Sequence, residues 1–362
     1  MERLNNIKKA CAAFLDFDVI EEVENIPNGH INVTDRVKIN GRNYILQRIN
    51  TNIFKDPIGL MNNISSVTEF LRKKIIDANG DPDRETLTLL KANDGKYYHK
   101  NENGFYRMYL YITDATCYNK AEKAGMFGES ARAFGRFQNL LAEFDATTLT
   151  ETIKDFHNTP VRFKNFENAL NENKAGRKDE CIPEIEFYLA RKDYCPTITA
   201  RLADGRLPTR VTHNDTKLNN VMIDDESGSG ICVIDLDTVM PGSMLYDFGD
   251  SIRFGASSAA EDEKDLDKVY CVPALYEEYA SGFLSEMKDT ITDEEFKLLH
   301  DGAIMMTLEC GMRFLTDYLE GDTYFRTHYA GQNLDRARTQ MKLVADMEAR
   351  RDEFEAILAK YR

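Results

Sequence analysis

Two short apolar stretches, Val221-Met222-Ile223 and Ile231-Cys232-Val233-Ile234, flank Asp224-Asp225-Glu226-Ser227-Gly228-Ser229-Gly230, a run of turn-forming residues. This pattern reads as a β-hairpin. The hairpin is edged by polar groups that folding alone does not require. His213, Asp215, Lys217 and Asn220 precede it, and Asp235 and Asp237 follow its second strand. Closing the hairpin puts Asn220 and Asp235 on neighbouring strands, with Asp215 just ahead of them. Whatever fold the rest of the chain adopts must leave that edge facing a cleft.

The spacing His213-x-Asp215-x-x-x-x-Asn220 is that of a kinase catalytic loop. The chemistry explains the spacing. A phosphoryl group in transfer carries spread negative charge, so it needs Mg²⁺, and Mg²⁺ takes one or two protein oxygens together with phosphates and water. Asn220 and Asp235 are the expected metal ligands, Asp215 the base that receives the acceptor's proton, and Lys217 a cation for the moving phosphoryl group. His213 reads as a packed histidine that orients the loop. Asp247-Phe248-Gly249 spells the metal triplet of protein kinases. It lies beyond the Pro241-Gly242 turn at the start of an expected helix, so Asp247 reads instead as a structural acid that braces the loop or caps that helix.

Upstream, Asn40-Gly41 signals a tight turn between Val37–Ile39 and Arg42–Ile49. In a lobe of this kind the earlier turn, around Asn28-Gly29, covers the nucleotide phosphates and the later strand supplies a cation, which makes Arg48 the candidate. Strand alternation alone also accounts for a polar residue there. Leu60 to Ile76 has helical spacing, with Glu69 as its one acid, either a partner for Arg48 or part of a solvated face. Thr86 to Leu90 and Phe105 to Ile112 read as strands. The second leads into a hinge whose backbone, at Met108, Tyr109, Leu110 and Tyr111, is the expected adenine contact. From Lys120 onward the pattern is helical, ending in one amphipathic helix over Leu334 to Tyr361. The expected fold class is therefore α+β and bilobal: a small antiparallel sheet lobe over residues 1–113 and a larger, mostly helical lobe over 114–362.

Composition excludes several partners. With 46 Lys and Arg against 61 Asp and Glu, the formal charge of −15 disfavours nucleic acid and anionic membranes. The seven cysteines are scattered and form no Cys-x-x-Cys pair, which argues against disulfide or zinc scaffolds. The N-terminal residues lack a signal core, and no run reaches the roughly 18 apolar residues of a membrane span. A cytoplasmic monomer acting on a small molecule is expected.

The loop Val211-Thr-His213-Asn-Asp215-Thr-Lys217-Leu-Asn-Asn220, with Ile234-Asp235-Leu-Asp237 and Tyr246-Asp247-Phe-Gly-Asp250, resembles the aminoglycoside phosphotransferase and choline kinase superfamily. Strings such as Gly29-His30-Ile31-Asn32, Gln47-Arg48-Ile49-Asn50, Asp155-Phe156-His157 and Gly311-Met312-Arg313-Phe314-Leu315 are similar to those of bacterial N-acetylhexosamine 1-kinases. The resemblance implies a protein-kinase-like fold, ATP and Mg²⁺ as cofactors, and an amino sugar phosphorylated on its anomeric hydroxyl. It also implies that His30, Arg313 and Tyr324 line the sugar pocket. Two other readings stay open at this stage: a kinase of another small acceptor, such as an aminoglycoside, a choline-like amine or a different sugar, and a nucleotide-binding regulator without turnover.

Overall fold

The computed structural model describes residues 2–27 and 31–362. Helix α1 (Glu2–Cys11) opens the chain. It is followed by β1 (Ile20–Ile26), β2 (Val33–Ile39) and β3 (Arg42–Ile49), then α2 (Pro57–Asp77), the single turn α3 (Pro82–Glu85), β4 (His99–Asn101) and β5 (Gly104–Leu110). The five strands form one antiparallel sheet in the order β1-β2-β3-β5-β4. Asn40 and Gly41 turn the β2–β3 hairpin with φ of 51° and 73°, the left-handed pair that a two-residue hairpin requires. Asp56 caps α2 by accepting from the Gly59 amide at 2.9 Å, with Pro57 preset for the first turn.

The period-2 pattern of these strands gives the sheet two unlike faces. Val37, Ile39, Tyr44, Leu46, Tyr106 and Met108 pack against Ile7, Ala10 and Cys11 of α1 in a small core of their own. The other face, with Ile45, Gln47, Arg107 and Tyr109, looks into the cleft. Thr86–Leu90 is not a full strand. It meets β5 only through Leu90 N–H to Met108 O and Leu110 N–H to Thr88 O, both 2.9 Å, around a single bridge at Leu89.

After Asp114 the two-residue strand β6 (Ala115–Thr116) joins a second sheet. The helices α4 (Met126–Leu140), α5 (Thr159–Glu172), α6 (Ile182–Leu189) and α7 (Thr197–Ala203) lead to β7 (Arg210–Thr212). The hairpin β8 (Val221–Asp224) and β9 (Gly230–Val233) follows, and β10 (Met240–Gly242) turns back to pair with β7. Then come α8 (Met244–Gly255), α9 (Pro273–Met287), α10 (Asp293–Lys297), α11 (Leu299–Glu320), α12 (Gln332–Ala349) and α13 (Arg351–Ala359). The expected last helix is thus two. Arg350 leaves helical angles and its guanidinium donates to the Cys271 carbonyl at 3.1 Å.

Helix α11 is buried along most of its length and forms the spine of the large lobe. It approaches α8 so closely that a methyl group added at Gly302 would lie 2.7 Å from the Leu245 carbonyl oxygen. That contact fixes α8, and α8 in turn fixes the loop after β7. The chain therefore has the expected α+β, two-lobed, protein-kinase-like architecture. Among the described residues no helix is long and apolar enough to cross a membrane.

Candidate active site

The loop between β7 and β8 is held from three sides. Asp247, fully buried on α8, accepts the backbone N–H groups of His213 and Asn214 at 2.9 and 2.8 Å, and the Gln138 side chain at 2.6 Å. His213 is enclosed edge-on by Phe134 and Phe137. Its Nε2 lies 2.8 Å from the Ile234 carbonyl oxygen, while Nδ1 accepts the Asp215 N–H at 3.3 Å, so Nε2 is the protonated nitrogen. Thr216 is bound through its hydroxyl to Asp247 O at 2.7 Å.

These anchors present the Asp215 carboxylate to two neighbours. Lys217 Nζ lies 2.7 Å from one oxygen and the Asn220 amide donates to the other at 3.0 Å. Burial works against a charged Lys217, but Asp215 and Asp250 outweigh it and hold its pKa above the ordinary lysine value.

Asn220 and Asp235 both line a cavity of about 420 Å³ between the lobes. The Asn220 nitrogen donates to Asp215 O and Oδ2, and its amide oxygen has no hydrogen-bond partner among the described residues. Asp235 sits in the left-handed region at φ 58°, and its carboxylate takes no hydrogen bond from a described residue. The enclosing walls of the cleft, then Asp237 and Asp215, raise its pKa to about 6, although its side chain is open to the cavity. A free amide oxygen beside an uncompensated carboxylate suits a hard divalent cation such as Mg²⁺. Among the described residues no group of three or more His, Cys, Asp or Glu side chains could hold a metal ion.

Part of the cavity wall is apolar, with Ile26, Ile45, Leu87, Ile112, Met222 and Ile234 around it. Tyr109, Leu110 and Tyr111 line it. Met108 does not, which corrects the expectation for that residue: its side chain is buried under α1 and its carbonyl accepts from Leu90. Arg48 needs a larger correction. It lies one residue out of phase, on the α1 face, lining a separate hollow with Glu2, Arg3 and Tyr106. Glu69 is not its partner and accepts the Tyr97 phenol at 2.5 Å instead.

The cleft-facing residues of that stretch are Gln47 and, opposite it on β5, Arg107. The Arg107 Nε donates to Gln47 at 2.9 Å and its guanidinium is ion-paired with Asp237, whose other oxygen accepts from Asn32. Arg107 and Asp237 are 1% and 5% exposed, a buried pair that ties the sheet to the helical turn that follows β9. Counting from Ile45 in steps of two would have found Gln47. Arg107 carried no sequence signal beyond a charge inside an apolar strand.

His30 lies outside the described residues, as do Asn28 and Gly29 of the expected phosphate turn. Arg313 and Tyr324 do come together. The Arg313 guanidinium lies 5.5 to 5.8 Å from the ring centres of Phe156, Tyr324 and Phe325. Among the described residues it has no carboxylate or hydrogen-bond partner. The buried Asp317 carboxylate gathers the N–H groups of Thr323, Tyr324 and Phe325 at 2.8 to 2.9 Å and so sets the turn that presents Tyr324, which is 70% exposed.

Residues 22–281 match the model of a family described as the phosphotransferase enzyme family. Among solved structures, the chain is similar to a microcompartment-associated aminopropanol kinase, with a TM-score of 0.63 and 14% identity over 97% of this chain and 98% of that one. It is also similar to a spectinomycin phosphotransferase solved with ADP and spectinomycin, at 0.59 and 13%, over 97% and 98% of the two chains. A third similar structure is a choline kinase from Cryptosporidium parvum Iowa II, at 0.55 and 14%, over 99% of each.

Proposed function

The chain belongs to the phosphotransferase enzyme family, and from that premise we propose that it is an ATP-dependent kinase of N-acetylhexosamines, transferring phosphate to the anomeric hydroxyl. The reading rests above all on one observation: the Asp215 carboxylate is held between Lys217 and Asn220 beside a nucleotide-sized cavity. Asp215 would accept the proton of the hydroxyl as it attacks the γ-phosphorus, and Lys217 would balance charge on the transferred group. Mg²⁺ held by Asn220 and Asp235 would neutralise the phosphate oxygens. Adenine would lie in the cavity beside Tyr109, Leu110 and Tyr111, with residues 1–113 acting as the nucleotide lobe above residues 114–362.

On the acceptor side, Arg313, without a carboxylate partner among the described residues, supports a ligand that is not cationic and carries hydrogen-bond acceptors, and the rings around it suit apolar ring faces; a sugar meets both conditions. A second reading, another small acceptor, is favoured by the names of the similar structures, which act on aminopropanol, spectinomycin and choline.

The deciding experiment incubates the protein with ATP, Mg²⁺ and a pool of N-acetylglucosamine, N-acetylgalactosamine, other sugars, aminoglycosides and choline, followed by mass spectrometry of products. A hexosamine phosphate that mild acid hydrolyses is the expected result. A phosphate on another acceptor replaces the sugar assignment and keeps the kinase. ATP binding with no product on any acceptor would favour a regulator.

A further inference from the structure

Between β7 and β8 the burial of the chain alternates: Asp215 and Lys217 are half-buried, while Thr216 and Leu218 are buried. Lys217 is extended, at φ −80° and ψ 152°. Side chains two residues apart in an extended segment share a side, so the Asp215 and Lys217 side chains meet while that of Thr216 lies on the other side. The pairing of base and cation thus depends on the residue between them. This stretch belongs to no sheet, so its backbone groups must find partners elsewhere.

Helix α8 supplies them for Thr216. The Thr216 N–H donates to Asp250 Oδ2 at 3.3 Å, the Ser251 hydroxyl donates to Thr216 O at 2.8 Å, and the Thr216 hydroxyl donates to Asp247 O at 2.7 Å. All three polar groups of this residue are held by one helix. Positions 247, 250 and 251 are spaced i, i+3 and i+4, which puts them on one face of α8.

Asp250 is itself fixed. It is 7% exposed, and its Oδ1 lies 3.0 Å from both Nε and Nη2 of Arg253, whose Nη1 binds Glu261 at 2.8 Å. Burial would raise the pKa of Asp250, but Arg253, and after it Lys217, hold it below the ordinary carboxylate value. An ionised carboxylate only accepts, so with Oδ1 on Arg253 the other oxygen stays turned to the Thr216 N–H.

Resting on the roles proposed above for Asp215 and Lys217, we propose that Asp250 and Ser251 are positioning residues for phosphoryl transfer. They clamp the Thr216 backbone, and through it fix where the Asp215 carboxylate meets the Lys217 ammonium and the acceptor hydroxyl. A misplacement of about 1 Å in such a constellation costs on the order of 10² in rate.

The test is a cycle of Ser251→Ala and Asp215→Asn, alone and together, in steady-state kinetics with ATP, Mg²⁺ and N-acetylglucosamine. Ser251→Ala removes the donor to Thr216 O. It should lower kcat roughly 10- to 100-fold, with both KM values within about twofold of wild type and one nucleotide still bound per chain by calorimetry. Ser251→Thr, which restores a hydroxyl, should recover most of the loss. On the Asp215→Asn background the alanine change should cost less than about threefold, because the group being positioned is gone. A kcat for Ser251→Ala within about twofold of wild type, or an equal loss on both backgrounds, overturns the clamp and leaves the kinase reading in place. Normal turnover of Asp215→Asn, or no product from wild type on any acceptor, ends the reading on which the clamp rests and the clamp with it. The clamp serves any acceptor, so one found in the product screen can take the place of N-acetylglucosamine.

If Ser251→Ala does not fold, hydrogen exchange of the wild type decides the matter. The Thr216 amide should exchange as slowly as the amides within α8. Exchange as fast as that of the open turn at Asp225 and Glu226 overturns the clamp.

Discussion

The floor of the cleft and the walls around it are built by different rules. On the floor, the side chains grouped around Asp215 are near in sequence: Asn220 reaches Asp215 across 5 positions and His213 reaches Ile234 across 21, although the brace beneath them is distant, with Asp247 34 positions from His213 and Gln138 109 from Asp247. In the walls, partners are far apart: Arg107 and Asp237 are separated by 130 positions, Asn32 and Asp237 by 205, and His157 and Glu309 by 152. A local cluster is recorded in the spacing of a motif. A distant pair exists only once the fold has formed, and so has no spacing to read. The floor should accordingly fail by losing chemistry, and the walls by losing stability or shape.

Asp215→Asn is the strongest way to test the floor. It keeps the size of the side chain and the neighbours Lys217 and Asn220, while removing the carboxylate proposed as proton acceptor. Turnover should fall by roughly 10² to 10⁴, with the unfolding midpoint and nucleotide affinity from calorimetry nearly unchanged. Normal turnover would remove Asp215 from the chemistry altogether.

Arg107→Met is the matching change in a wall, and its first effect should be on folding. It leaves the buried Asp237 carboxylate with Asn32 alone, and removing one partner of a buried ion pair costs about 3 to 5 kcal/mol. Urea denaturation measures this directly. A loss below about 1 kcal/mol would mean that Asp237 finds water or another donor, and the sheet would not be tied to the floor through this pair.

The contrast explains what could be read in advance. The hairpin, the tight turn at Asn40-Gly41, helix α2 and the two-lobed fold follow from periodicity and turn chemistry, which are local. The loop from His213 to Asn220 was legible for the same reason. Met108 and Arg48 were misplaced because a strand pattern fixes alternation but not which of two partly apolar faces looks into the cleft; that depended on α1 covering one of them. Glu309 gave no sign at all. It lies mid-helix in α11, and only the return of residues 157 to 159 against that helix makes it a partner for His157 and Thr159.

Glu309→Gln sharpens the comparison through pH. The folded pKa of Glu309 lies below its ordinary value of 4.5, so its ionised form stabilises the fold. That contribution is fully present above the unfolded pKa and disappears as pH falls through the folded one. At pH 7 the variant should be less stable by about 2 kcal/mol, the order expected for hydrogen bonds to a charged group. As pH drops below about 4.5 the gap between wild type and variant should close, because a protonated Glu309 resembles the amide. Denaturation series at pH 7, 5 and 4 would show it; a gap that stays constant would mean the carboxylate contributes only through its shape.

Arg48→Ala is expected to do least, and its value lies in that. The side chain is exposed on the α1 face, while Gln47 and Arg107 occupy the cleft face one residue away in register. If alternation fixes the faces as described, KM for ATP should stay within about twofold and stability within about 0.5 kcal/mol of wild type, as for a surface substitution away from any special contact. A tenfold rise in KM would require β3 to shift its register by one residue when nucleotide binds. Such a slip would also carry Leu46 out of the α1 core and Ile45 out of the cleft, so it would appear as a large change in hydrogen exchange across the whole strand and not at one position. Measuring both quantities on the same variant separates a fixed wall from a sliding one.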